Sequence, residues 1–128
     1  MIALDASALL AFLFREPGHE RVAEAMPGCC MSTVNLAEVL GRFERDGRDA
    51  ALVHRRLRTS GIAWIPFGVE HAAAAAALVP VTRHLGLSLG DRACLALART
   101  RHIAALTADR AWGDLDPAAI GIEMEIIR

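Results

Sequence analysis

Of the fifteen acidic residues in this 128-residue chain, Asp5, Glu38, Asp91 and Asp109 sit where one kind of element gives way to another. Asp5 follows the apolar Ile2-Ala3-Leu4, and Asp109 comes two residues after the apolar stretch Ile103 to Thr107. Glu38 falls near the start of an amphipathic segment opening at Thr33, and Asp91 heads a segment carrying Cys94, Leu95, Leu97 and Ala98. Taken singly, such residues are ordinary caps, turn formers or solvated helix positions. Gathered in one crevice, four carboxylates repel one another strongly unless cations offset the charge. Oxygen donors without His or Cys at metal spacing favour Mg²⁺ or Mn²⁺ over zinc. One or two such ions would activate a water, neutralise a scissile phosphate and stabilise the leaving 3′ oxygen, which is metal-assisted phosphodiester hydrolysis.

The elements needed to gather these acids are legible in the hydrophobic pattern. Short buried strands are expected at Ile2–Leu4, Cys29–Ser32, Ile62–Ile65 and Ile103–Thr107, with a fifth, edge strand at Ile122–Ile127. Helical segments alternate with them: Ala8–Phe14, capped by Ser7; Glu20–Met26; Thr33–Asp46; Asp49–Ser60; Val69–His84, kinked at Pro80; and one beginning at Asp91. In Thr33–Asp46 the residues Leu36, Val39, Leu40 and Phe43 define the buried stripe, leaving Asn35, Glu38, Arg42 and Arg45 on the other side. Alternating strands and helices argue for an α/β fold with a mostly parallel sheet. The carboxyl ends of such strands share one edge, where these folds place their binding crevice. Asp5 and Asp109 are expected on that edge, with Glu38 and Asp91 facing it from helix starts.

Composition narrows the alternatives. With 54% hydrophobic residues and no linker-like stretch or repeat, residues 1–128 are expected to form a single domain. The opening residues have no basic region before an apolar one, so they do not read as a secretory signal. The longest apolar run, Ala72 to Val81, is far short of the roughly 20 residues of a bilayer span. A soluble, cytoplasmic protein without a membrane partner is expected. Cys29, Cys30 and Cys94 lack the paired spacing of a zinc site and read as buried reduced thiols. The five histidines have no Ser or Cys partner in a recognisable arrangement, and no phosphate-binding glycine loop occurs.

A net charge of −1 gives no global basic field, yet all 14 basic residues are Arg, and six lie between Arg42 and Arg58. Arginine suits bidentate phosphate contact. Arg42, Arg45 and Arg92 are the residues expected on the rim of the acidic crevice, where they would contact substrate phosphates. Rival chemistries fare less well. A phosphoacceptor domain needs a later Lys, and the chain has none; a Mg²⁺ phosphatase needs a second Asp two residues after Asp5, where Ser7 stands. A module that binds a partner without cleaving anything would have no use for the full acidic set.

Four strings occur in order: Leu4-Asp5-Ala6-Ser7-Ala8-Leu9-Leu10; Ser32-Thr33-Val34-Asn35-Leu36-Ala37-Glu38-Val39; Leu87-Ser88-Leu89-Gly90-Asp91-Arg92-Ala93-Cys94-Leu95-Ala96-Leu97-Ala98; and Leu106-Thr107-Ala108-Asp109-Arg110-Ala111-Trp112. Together they resemble the PIN-domain family, in particular its VapC-type toxins, from residue 2 to about residue 112. The resemblance implies a three-layer α/β/α fold with a central sheet of about five strands. It assigns Asp5, Glu38, Asp91 and Asp109 to the metal-binding catalytic set and places Ser7, Asn35 and Thr107 among the polar residues that support it. It further implies a Mg²⁺- or Mn²⁺-dependent endoribonuclease acting on structured RNA such as tRNA and inhibiting translation. A homodimer and a cognate VapB-like antitoxin that blocks the acidic groove are also implied. Asp114 and Asp116 lie beyond the last string and are not included in the set.

Overall fold

The computed structural model describes residues 1–128. Five strands form one sheet in the order β3-β2-β1-β4-β5, and every neighbouring pair is parallel. They are β1 (Ile2–Leu4), β2 (Cys29–Ser32), β3 (Ala63–Ile65), β4 (Ala104–Thr107) and β5 (Met124–Ile126). β1 lies at the centre, and the chain leaves it first toward β2 and later returns to β4 on its other side. That reversal makes the carboxyl ends of β1 and β4 the switch point of the sheet, where an open α/β fold leaves a crevice.

Side-chain alternation along the central strands divides the core in two. Ala3, Cys30 and Ala105 face one layer; Leu4, Cys29, Met31 and Leu106 face the other. The first layer is covered by α5 (Val69–Ala77) and α7 (Leu89–Arg101), whose Cys94 to Ala98 are fully buried. The second is covered by α1 (Ala6–Leu13), α2 (His19–Ala25), α3 (Thr33–Arg45) and α4 (Ala50–Leu57). This is a three-layer α/β/α architecture. The three cysteines are free and buried, and burial raises the pKa of each thiol. No helix is long and apolar enough to cross a membrane.

Several local expectations are corrected. The helix expected over Val69–His84 is divided: α5 ends at Ala77, α6 occupies Val79–Thr82 with Pro80 in its first turn, and a 3₁₀ turn follows at Arg83–Leu85. Proline tolerates a first turn and not a helix interior, so it restarts the helix rather than bending it. α7 begins at Leu89, two residues before Asp91, because Ser88 is its N-cap. Ser7 does not cap α1; Asp5 holds the N-cap position, and Ser7 lies inside the helix. On α3, Val39 and Phe43 are buried, Leu36 and Leu40 only partly, and Asn35, expected on the open side, is fully buried. A short helix, α8 (Pro117–Ile120), capped by Asp116, precedes the edge strand β5.

Candidate active site

A cavity of about 410 Å³ opens at the carboxyl ends of β1 and β4, and Asp5, Glu38, Asp91 and Asp109 all line it together with Ser7, Arg42 and Arg45. Each acid arrives from a different element. Asp5 directly follows β1, at the N-cap of α1, and is 3% exposed. Asp109 follows β4 and caps the 3₁₀ turn Arg110–Asp114. Glu38 stands on α3, six residues in from the Ser32 cap. Asp91 is in the first turn of α7.

The acids share one design: a protein donor ties one carboxylate oxygen, and no protein hydrogen bond engages the other. Asp5 Oδ2 accepts from Ser7 Oγ at 2.7 Å and from Thr107 Oγ1 at 2.9 Å. Each hydroxyl has one proton and gives it to Asp5. As acceptors they take backbone N–H groups in turn, Ser7 from Ala108 at 2.9 Å and Thr107 from Asp109 at 3.0 Å. The Ser7 and Thr107 hydroxyls are therefore each used as donor and as acceptor, while Asp5 Oδ1 takes no protein hydrogen bond. Glu38 Oε1 accepts from Asn35 Nδ2 at 2.8 Å, and the same nitrogen donates to the Gly90 carbonyl at 2.9 Å. Turning the amide over would set its oxygen against two acceptors, so the orientation is determined chemically. Asp91 Oδ2 accepts from the Ser88 backbone and hydroxyl, and Asp109 Oδ1 accepts from Ala111 N at 2.9 Å.

None of the four acids is in a salt bridge. Burial pushes the Asp5 pKa up to about 6; the hydroxyls of Ser7 and Thr107 oppose the shift, and the Asp91 and Glu38 charges add to it. Glu38 is exposed as a residue, yet partial burial of its carboxyl end raises its pKa as well, with Asn35 opposing and Asp91 reinforcing. Among the carboxylates, the Asp91 and Glu38 charges thus weaken the ionisation of Asp5, and the Asp91 charge that of Glu38, as expected of a site complementary to a cation. As they stand, no three of them close into a finished metal-holding set. An open ring of oxygens suits Mg²⁺ or Mn²⁺, because Mg²⁺ keeps several of its waters and takes few protein ligands. The donor chemistry therefore fits a hard divalent ion and offers nothing to a soft one.

The arginines divide. Arg42 faces the cavity while its Nε donates to Asp46 Oδ2 at 2.8 Å and its guanidinium lies 5.2 Å from the Phe14 ring centre. Arg45 also faces the cavity and is largely exposed, with Asp46 Oδ1 3.9 Å away. Arg92 is not among the lining residues; its Nη1 donates to the Leu87 carbonyl at 2.6 Å, tying the loop before α7. Two participants were not singled out in the sequence, Ser88 and Gly90. The Ser88-x-x-Asp91 spacing is that of a capping box and would have flagged the first. Nothing in the local pattern points to Gly90.

A PIN-domain family model matches residues 2–116. No curated protein sequence matches. Among solved structures, a chain of a toxin–antitoxin complex from Klebsiella pneumoniae is 20% identical, with 89% of this chain and 92% of that one covered and a TM-score of 0.67. A chain of the DNA-bound VapBC structure from Salmonella typhimurium is 17% identical over 100% of both, with a TM-score of 0.73. A chain of FitAcB from Neisseria gonorrhoeae is 20% identical, with 99% and 98% covered and a TM-score of 0.70. At these identities the likeness is one of fold.

Proposed function

The chain belongs to the PIN-domain family, and on that premise we propose that it is a Mg²⁺- or Mn²⁺-dependent endoribonuclease, the toxin of a VapBC-type toxin–antitoxin pair. One observation carries the reading: four carboxylates from four elements face one cavity, each with an oxygen tied by a protein donor and none neutralised by a basic side chain. Such a site is organised for a cation before the cation arrives.

A bound divalent ion supplies Lewis acidity for water activation and positive charge for the phosphate. The protein's own part is positional. Asp5 Oδ1, Glu38 Oε2, Asp91 Oδ1 and Asp109 Oδ2 are the oxygens left to act as ligands or to hold the attacking water. Ser7 and Thr107 keep Asp5 aimed and its pKa below what burial alone would set. Asn35 and Ser88 do the same steering for Glu38 and Asp91. Arg42 and Arg45, on the α3 side of the cavity, meet the phosphates flanking the scissile bond, where they offset the repulsion between acidic pocket and RNA.

Solved structures of similar fold include chains of a toxin–antitoxin complex and of a member of the VapBC family of toxin–antitoxin systems, and this supports a cognate VapB-like antitoxin as the partner that covers the site. The rest of the reading is a single domain over residues 1–128, a homodimer, action in the cytoplasm on structured RNA such as tRNA, and inhibition of translation as the outcome. The test is incubation of purified protein with total cellular RNA and Mg²⁺ or Mn²⁺, beside EDTA and an Asp5→Asn/Asp91→Asn control, with fragment ends sequenced. Discrete metal-dependent cuts absent from the double mutant are expected; identical RNA profiles for protein and mutant in both metals would remove the nuclease reading.

A further inference from the structure

The chemistry proposed above depends on where the Glu38 carboxylate stands, and the residue beneath it has no side chain. A methyl built on Gly90 would fall inside van der Waals contact with Oε1, Oε2 and Cδ of Glu38. At Gly28, Gly41, Gly47, Gly68 and Gly86 such a methyl would meet nothing within 4 Å. Gly90 is buried in the first turn of α7, and its φ is not in the left-handed region. Its backbone would therefore accept alanine, which is the better helix former. Local conformation gives no reason for glycine there; the Glu38 carboxylate does.

The same peptide holds the carboxylate from a second direction. The Gly90 carbonyl accepts from Asn35 Nδ2, which also donates to Glu38 Oε1. Glu38 is thus clasped between an amide on its own helix and a bare Cα on α7. We propose that Gly90 is a positioning residue: by lacking a side chain it lets the long Glu38 carboxylate cross from α3 to α7 and stand in the cavity beside Asp5 and Asp91. This rests on the metal-centre reading and extends it to a residue without any functional group. The atoms that must move if a methyl is added are the far end of a flexible side chain, not backbone, so the fold absorbs the change and the site does not.

The test compares the full-length wild type with Gly90→Ala, Glu38→Ala and the double variant, by thermal unfolding without metal and by calorimetric titration with Mn²⁺. G90A is expected to unfold at or above the wild-type temperature while its Mn²⁺ affinity falls about 10- to 100-fold, the range for losing a ligand's support. In the Glu38→Ala background, adding G90A should change Mn²⁺ affinity no further, since the displaced carboxylate is already gone. Equal Mn²⁺ affinity in G90A and wild type overturns the inference and leaves the metal centre standing, as does an additional loss in the Glu38→Ala background. If G90A fails to fold, recovery of folding in E38A/G90A supports the contact, and no recovery overturns it. A wild type that binds no Mn²⁺ sinks the metal-centre reading and this inference with it.

Discussion

Thr107 donates its hydroxyl proton to Asp5 at 2.9 Å, joining the ends of two adjacent parallel strands whose residues are 102 apart in sequence. This bond and its Ser7 counterpart oppose the burial that lifts the Asp5 pKa. Thr107→Val keeps the shape and removes the donor. A hydrogen bond to a charged group contributes about 1.5–3 kcal/mol, so the Asp5 pKa should rise by about one to two units. NMR titration of the Asp5 carboxyl carbon would read this directly, and the acidic limb of the cleavage profile should move up with it.

The sign of the pH dependence follows from the same carboxyl. With a folded-state pKa of about 6 against 3.8, the folded protein binds the proton more tightly than the unfolded chain. Without metal, stability should therefore fall as pH rises from about 4 through about 6 and stay reduced above. The loss is at most about 3 kcal/mol, and the raised Glu38 pKa adds in the same direction. Asp5→Asn should abolish most of this slope and leave the metal-free protein more stable than wild type at pH 7.5. Urea unfolding at pH 5 and pH 7.5 would measure it; an unchanged slope in the variant would disprove the assignment.

Cation binding has the opposite pH sign, because the ligands must be deprotonated. Mn²⁺ should raise the unfolding temperature clearly at pH 7.5 and little at pH 5, and EDTA should reverse the gain. An ion at 100 times its Kd adds about 2.7 kcal/mol. Asp91→Asn and Glu38→Gln should each reduce Mn²⁺ affinity and cleavage by more than about 10-fold, and a 10-fold loss of affinity would cut that stabilisation to about 1.4 kcal/mol at the same ion concentration.

Arg42 and Arg45 differ from Arg92 in what they face. Alanine at either of the first two should lower the dependence of RNA affinity on salt by about 0.7 in log–log slope for each phosphate no longer neutralised. Arg92→Ala should leave that slope alone and instead destabilise the loop held at Leu87. Filter binding of a D91N background over a salt series would separate the two behaviours, and equal slopes in all three variants would refute the rim.

Amino-acid order alone determined the strands, their alternation with helices and the positions of the four acids. It could do so because these are short-range properties: apolar runs of strand length, a 3.6-residue stripe on α3, and acids at element boundaries. Asp5 and Asp109 were legible as neighbours because parallel strands present their carboxyl ends on one edge. The burial of Asn35 was not legible, since its place on the open side of α3 is overruled by contact with α7, which only packing brings near. In the local pattern Ser7 looks like a helix cap; only the family resemblance placed it among the residues that support the acids, and it lies inside α1 and donates to Asp5. Tertiary structure alone decided which carboxylate oxygens are tied and which are free, which arginines face the cavity, and why a glycine precedes Asp91. Each depends on atoms more than 50 residues apart in sequence meeting within a few ångströms, or on a turn of side-chain direction that periodicity does not encode.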